Sequence, residues 1–270
     1  MFNSHVHTEN SRDCTFSLEE MVLAAKEKGF FGISATDHCD LDFCISGDLY
    51  RRLLSSGEKV RELNKKYADS FLVTVGIELS DATRKPEYAK RLIKALRPDS
   101  ISLSVHNIIA DNMPVGLSHM DFGTMSSDRI DSVLNTYFSD LLAAVKNADF
   151  DICAHLTLPL RYITGVYKKT IVLENYMPQI KKILSVLIDR NKALEINTSD
   201  THHQLCDFMP PEEIAKMFFN MGGRLVTIGT DAHSPQNIDY GFAEGKNMLN
   251  RIGFDSYVYY RNRKAQIIKI

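Results

Sequence analysis

The sequence predicts an α/β fold: a distorted seven-stranded (β/α)7 barrel, similar to a TIM barrel, with its chemistry at the C-terminal ends of the strands. Three observations carry that expectation. Short β-type runs alternate with longer helical patterns along all 270 residues. Parallel strands joined by helical crossovers share one handedness, so every strand ends on the same face. Nearly every run also stops in or beside a His, Asp or Glu. An open doubly wound sheet concentrates its site at one switch point and leaves that recurrence unexplained, whereas a closed barrel gathers all its strand ends.

The elements follow in order. Phe2 to Val6 reads as the first strand. Ser17 with Glu20 three residues on makes a capping box for a helix from Leu18 to Lys28 that stops at Gly29. Phe31 to Thr36 is the second strand, and a polar amphipathic stretch from Asp48 to Tyr67 the next helix. The β-branched run Phe71 to Ile77 gives the third strand, followed by a helix at Glu87 to Leu96. Ile101 to Val105 is the fourth strand; Asn107 to Gly123 reads as irregular, and Asp128 to Asn147 as helix. Asp151 to Ala154 is the fifth strand, with a loop carrying Pro159 and Arg161 before a helix at Met177 to Arg190. Ala193 to Ile196 is the sixth, followed by a helix at Pro211 to Met221 ended by Gly222-Gly223. Leu225 to Gly229 is the seventh, with a last helix at Asn237 to Asn250 and a tail of strand or irregular character.

Composition narrows the class. Without a flexible or low-complexity linker, residues 1–270 read as a single domain. A net charge of −2 gives little electrostatic footprint for nucleic acid. Five cysteines (Cys14, Cys39, Cys44, Cys153, Cys206) lack the density of a disulfide scaffold and read as reduced thiols. No apolar run approaches the ~20 residues needed to span a bilayer, and the N-terminus has no basic-then-apolar signal. These features place the protein in the cytoplasm, away from membranes.

The candidate site residues come from the strand ends. His5 and His7 lie two apart on a strand and project from one face. Asp231 and His233 repeat that spacing after the seventh strand, which neighbours the first across the seam of a barrel. Glu78 ends the third strand, where a buried carboxylate needs compensation. His106 and His155 each end a strand, and either alone reads equally as a neutral core histidine. Jointly, scattered packing histidines have no reason to follow this register, and imidazole with carboxylate is the ligand set of zinc, manganese or iron. His38 follows the second strand with Asp37 beside it to orient it or its neighbours, and Asp13 lies in the loop after the first. Asn197 is a polar lining residue. His119, His202 and His203 are loop residues, read as exposed or as substrate contacts.

These residues in this order resemble the PHP (polymerase and histidinol phosphatase) family, and within it the stand-alone histidinol-phosphatase branch. The likeness runs through His5-Val6-His7-Thr8, Thr36-Asp37-His38, Gly76-Ile77-Glu78, Ser104-Val105-His106, His155 with Arg161-Tyr162, Glu195-Ile196-Asn197-Thr198-Ser199, and Thr227 to Pro235. The resemblance implies three metal ions. One would take His5, His7, Glu78 and Asp231; a second would share Glu78 and take His106 and His155; a third would use Asp13, His38 and His233. Two to three divalent ions against Asp13, Glu78 and Asp231 suit a phosphate monoester dianion. With three ions and one bridging hydroxide, two positive charges remain for it. Monoester hydrolysis needs accelerations of up to ~10²¹, about 28 kcal/mol, and one general base supplies ~10² to 10⁴.

The reading is therefore a metal-dependent phosphatase acting on a small-molecule monoester, L-histidinol phosphate first. A hydroxide bridging the ions would attack phosphorus, Asp231 or His233 would protonate the leaving alcohol, and Arg161 would cap a phosphate oxygen through its planar fork. The branch usually continues past Asn-Thr-Ser with Gly and then Arg. This chain has Asp200-Thr201-His202-His203 and no arginine until Arg224, so a second phosphate contact falls to His202 or His203 or is absent. The alternatives are a phosphodiesterase or exonuclease, as in the polymerase-linked members, and a silent barrel that binds metal without turnover. Sequence does not choose the metal or the oligomeric state.

Overall fold

The computed structural model describes residues 1–43, 47–68, 70–110 and 112–270; Cys44 lies outside them. In chain order the elements are β1 (Phe2–Val6), α1 (Leu18–Glu27), β2 (Gly32–Ala35), β3 (His38–Asp40), α2 (Gly47–Tyr67), β4 (Leu72–Ser80), α3 (Pro86–Leu96), β5 (Ser100–Ser104), β6 (Asn107–Ala110) and β7 (Met113–Gly116). They continue with α4 (Ser127–Asn147), β8 (Ile152–Cys153), α5 (Met177–Asp189), β9 (Ala193–Asn197), α6 (Glu212–Asn220), β10 (Val226–Gly229), α7 (Phe242–Ile252), β11 (Ser256–Arg261) and β12 (Lys264–Lys269).

Seven parallel strands form the barrel wall in the order β1-β2-β4-β5-β8-β9-β10. The seam closes through residues just past β10. Asp231 N–H donates to the His5 carbonyl and His7 N–H to the Ala232 carbonyl, each at 2.9 Å, around a parallel bridge from Val6 to Ala232. Closure thus sets the Asp-Ala-His segment directly beside the His-Val-His segment.

Helices cover the outside through apolar stripes spaced three and four residues apart. Examples are Ile130, Leu134, Tyr137, Phe138 and Leu141 on α4 and Ile180, Ile183, Leu184 and Leu187 on α5, all buried. The capping box at Ser17 is present. Its N–H donates to the Glu20 carboxylate at 2.7 Å, and Glu20 N–H donates to the Ser17 hydroxyl at 3.3 Å. No described helix is long and apolar enough to cross a membrane.

Four local features depart from the expected elements. The residues after β2 re-enter the sheet as β3, paired parallel with β4 so that His38 stands opposite Glu78. The stretch expected to be irregular after β5 is a hairpin, β6 with β7, whose register is Asn107 with Gly116. The expected loop at Arg161 is a π-helical turn, Arg161–Val166. The last helix starts later than its periodicity suggests, because Gly241 takes a left-handed conformation (φ 61°) just before α7. The tail is an antiparallel hairpin, β11 with β12.

Candidate metal centre

Glu78 is the hub. It lies near the end of β4 with no exposed surface. Its Oε1 is 2.6 Å from His155 Nε2 and 2.9 Å from His106 Nε2; its Oε2 is 2.6 Å from His38 Nδ1. His7 and His5 follow at 3.7 and 3.8 Å from Oε2. Across the seam, Asp231 Oδ1 is 3.1 Å from His7 Nε2 and 3.7 Å from His5 Nε2. At the rim the exposed Asp13 carboxylate is 3.3 Å from His38 Nε2 and 3.4 Å from His233 Nε2. The nine expected ligand residues therefore meet in one place. His155 and Asp231 both adopt positive φ (23° and 52°), a costly conformation outside glycine that concentrates at functional sites.

The outward nitrogens decide what the inward ones can do. His5 Nδ1 is 2.7 Å from Glu195 Oε1, a carboxylate that can only accept, so Nδ1 carries the proton and Nε2 points inward with a lone pair. Ser11 donates its hydroxyl to Asp37 at 2.9 Å and accepts from His7 Nδ1 at 3.0 Å, which leaves His7 Nε2 a lone pair as well. His5 Nε2 and His7 Nε2 then face each other at 3.1 Å. His106 repeats the pattern, with Nδ1 on Asp40 at 2.7 Å, and His233 Nδ1 donates to the Asp231 carbonyl at 2.8 Å. Buried lone pairs aimed at one another and at carboxylates need cations between them. Glu78 Oε2 and His38 Nδ1, buried and 2.6 Å apart, make no hydrogen bond. His233 Nε2 is likewise buried without a hydrogen-bond partner. This donor set fits divalent metal: carboxylates and imidazoles, with His5, His7, His106 and His233 held by an acceptor on Nδ1.

Three subsets bring their donor atoms within 4.8 Å of one another: His5, His7 and Asp231; His38, Glu78 and His106; and His7, His38 and His233. In the protein without metal, protons take up part of this role. Burial opposes a charge on His38 and His106, but Glu78 outweighs it and raises both well above the usual imidazole range. Burial equally opposes His5, and Glu195 with Asp231 reverses it. His7 stays well below that range, from burial and the neighbouring His233 and His38. Burial would push Glu78 up, yet His106 and His38 hold it well below the ordinary carboxylate range.

Three residues have supporting roles that the sequence did not assign to them. Glu195 on β9 accepts from His5 and also from the backbone N–H of His155 at 2.9 Å, which ties two ligands on different strands together. Its approach requires glycine at position 229: a Cβ there would lie 2.4 Å from Glu195 Oε1 and 2.5 Å from His5 Cβ. Asp40 on β3 holds His106. Asp200 holds Arg161. The signal for Glu195 and Asp40 was period-two spacing, since Glu195 alternates with buried Leu194 and Ile196, and Asp40 lies two residues beyond His38 on β3. Asp37 does not touch the His38 ring; it accepts from Thr8 and Ser11 and so fixes the loop that orients His7.

A cavity of about 460 Å³ opens over the cluster. It is lined by Asp13, His38, His106, His155, Asp231 and His233, and by Arg12, Arg161, Tyr162 and His119. Arg161 donates through Nε to Asp200 at 3.1 Å and through Nη2 to Asp231 at 3.2 Å and to the Ser199 hydroxyl. A neighbouring cavity shares Arg161, Asp231 and His233 and adds His203, whose ring stacks on Tyr240 with centroids 4.8 Å apart. His202 belongs to neither cavity. Adjacent side chains diverge in this turn, and its Nε2 faces Glu244 on α7 at 3.3 Å, so the substrate contact expected of it is not made from this position.

Comparison with known proteins agrees with this geometry. The model of the PHP domain matches residues 3–199. A probable histidinol-phosphatase of Clostridium acetobutylicum is 27% identical over 250 residues, 92% of each chain. One of Thermotoga maritima is 25% identical over the full length of both. Among solved structures, the histidinol phosphate phosphatase of Lactococcus lactis, in complex with zinc, L-histidinol and phosphate, superposes with a TM-score of 0.81 at 20% identity, covering 98% of each chain. The putative histidinol phosphatase of Listeria monocytogenes gives 0.77 at 19% identity, over 90% of this chain and 99% of that one. With the family model covering most of the chain, and its ligand-type residues gathered at one rim of a seven-stranded barrel, this protein belongs to the PHP domain family.

Proposed function

We propose that this protein is a metal-dependent phosphatase that hydrolyses a small-molecule phosphate monoester, L-histidinol phosphate first among them. The observation that carries the reading is the convergence of buried imidazole and carboxylate lone pairs beneath a cavity that also holds an arginine. The names of the relatives and the ligands of the Lactococcus lactis structure support the substrate. Residues 1–270 act as one domain on this reading, supported by Asp231 and His233, which belong to the site although they lie beyond the matched family segment.

His5, His7, Glu78 and Asp231 would hold one divalent ion, Glu78 with His106 and His155 a second, and Asp13 with His38 and His233 a third. When bound, such ions supply water ionised near neutral pH and positive charge against the phosphoryl oxygens. The remaining work falls to the chain. Glu195, Ser11 and Asp40 hold the outer nitrogens of His5, His7 and His106, so that the rings cannot swing out of register. Arg161 is fixed by Asp200, Ser199 and Asp231 and has Nη1 left for a phosphate oxygen. With two ions bound and the position of Asp13, His38 and His233 unfilled, leaving-group protonation falls to His233 rather than Asp231. Burial disfavours the Asp231 carboxylate, but His5, His7 and Arg161 hold it ionised. His233 sits at the rim with 30% of its side chain exposed, and a centre of two ions leaves its Nε2 unliganded. His203, on the wall of the second cavity, contacts the alcohol portion of the substrate.

Cytoplasmic residence is supported by Cys14, Cys153 and Cys206, all free thiols. The test is phosphate release by metal-loaded protein from histidinol phosphate, other monoesters and a diester. Histidinol phosphate should be turned over fastest. Preference for the diester would make the enzyme a phosphodiesterase, and release from none would leave a silent barrel.

A further inference from the structure

We infer that Arg12, in the loop between β1 and α1, is the second phosphate-binding residue of this site and takes the place of the arginine missing after Asn197-Thr198-Ser199. The inference rests on the phosphatase reading for its substrate and on three observations for its residue. First, Arg12 and Arg161 are the cavity's only lysine or arginine residues among the described residues that line it. Second, the charge of Arg161 is already offset, since Asp200 and Asp231 both lie within 3.2 Å of its guanidinium. Arg12 lines the cavity, is exposed and makes no ion pair or side-chain hydrogen bond among the described residues, so its guanidinium is uncommitted. Third, the carboxylates of the site outnumber the sequence count. Asp40, Glu195 and Asp200 join Asp13, Glu78 and Asp231, and with the single charge of Arg161 they cancel the two positive charges left over in that count. A phosphate dianion entering a formally neutral centre gains from one further cation at the rim.

Position favours the same residue. Asp13, next in the chain, is 3.3 to 3.4 Å from His38 and His233, which sets the Arg12 backbone beside the outermost ligands. Arginine suits the task because its planar fork grips two oxygens of one phosphate. The two candidates read from the sequence do less. His202 faces Glu244, and His203 is stacked on Tyr240 in the adjoining cavity.

The test uses full-length, metal-loaded protein and the variants Arg12→Ala, Arg12→Lys and Arg12→Glu. Inorganic phosphate binding is followed by calorimetry, KM and kcat by phosphate release, and bound metal by elemental analysis. In Arg12→Ala, the phosphate Kd and the ester KM should both rise about tenfold, with a smaller change in kcat. Arg12→Lys should recover part of the affinity and Arg12→Glu lose more, with metal content and melting temperature held. Unchanged phosphate affinity in Arg12→Ala overturns the inference, as does loss of metal, which would make Arg12 a support for Asp13 instead. The two readings fail separately. A wild-type protein that binds phosphate through Arg12 but releases none from any ester defeats only the phosphatase; full turnover with unaltered affinity in Arg12→Ala defeats only the role of Arg12.

Discussion

The two ends of the barrel treat buried charge in opposite ways. At the N-terminal ends of the strands, Asp151 and Asp99 are answered by donors from the chain. Asp151, just before β8, accepts from Arg263 in the terminal hairpin and from the Ile101 N–H at 2.9 Å. Asp99 accepts from the backbone N–H groups of Val75 and Asn262 at 2.9 and 2.8 Å. Tyr257 and Tyr260 of β11 seal that end, the one accepting from Phe2 N–H and the other donating to the Asp151 carbonyl. At the opposite rim, Glu78 and Asp231 face imidazoles, those of His5, His7 and His106 with Nδ1 turned outward to another partner, and the buried Glu78 Oε2 and His38 Nδ1 are left without a hydrogen bond. At one end the buried carboxylate Asp151 has an arginine from the chain, and at the other, among the described residues, Glu78 has only imidazoles around it. Strand polarity lets a βα barrel keep stability at one pole and chemistry at the other.

That contrast is open to attack by substitution. The largest effect is expected from Glu78→Gln, which removes the shared carboxylate. Turnover should fall on the order of 10³-fold and elemental analysis should find at least one ion fewer. Glu195→Gln touches the same pole from outside the ligand set. Metal affinity, by competition with a chelating dye, should drop about 10- to 100-fold. At the other pole, Arg263→Met strips Asp151 of its cation. Because Arg263 is partly exposed, roughly 2 kcal/mol of stability should go, read in denaturant, with kcat intact. A loss of activity there would erase the distinction between the poles.

The smallest effect is a pH trend. In the metal-free protein, burial resists a charge on His5, His38 and His106, but the surrounding carboxylates raise them above the ordinary imidazole value of about 6.5. Groups raised in the folded state stabilise it below that value, and the contribution disappears as pH climbs through the folded values. Metal ligation needs the unprotonated rings and strengthens over the same range. The gap in melting temperature between loaded and metal-free protein should therefore widen from about pH 6 to about pH 9. A gap that narrows would mean the histidines are not ligands.

Much of this was written locally. The seven strands follow from β-type runs, and the cap at Ser17 from a four-residue pattern. The ligand residues were legible because period-two pairs, His5 with His7 and Asp231 with His233, recur at strand ends. The hairpin β6–β7 was not legible, since its strands are short and partly exposed and carry little alternation. Nor was β3, a three-residue strand that exists only because β4 offers it an edge.

Sequence alone therefore determined the kind of residues, their order and the face they share, because strand periodicity and crossover handedness are local rules. Tertiary structure decided which acid serves which imidazole. Glu195 meets His5 across 190 residues and Asp40 meets His106 across 66, through barrel closure and the β3–β4 register. It also separated His202 from the cavity and set Arg12 at its mouth, because the path of a loop depends on what it packs against.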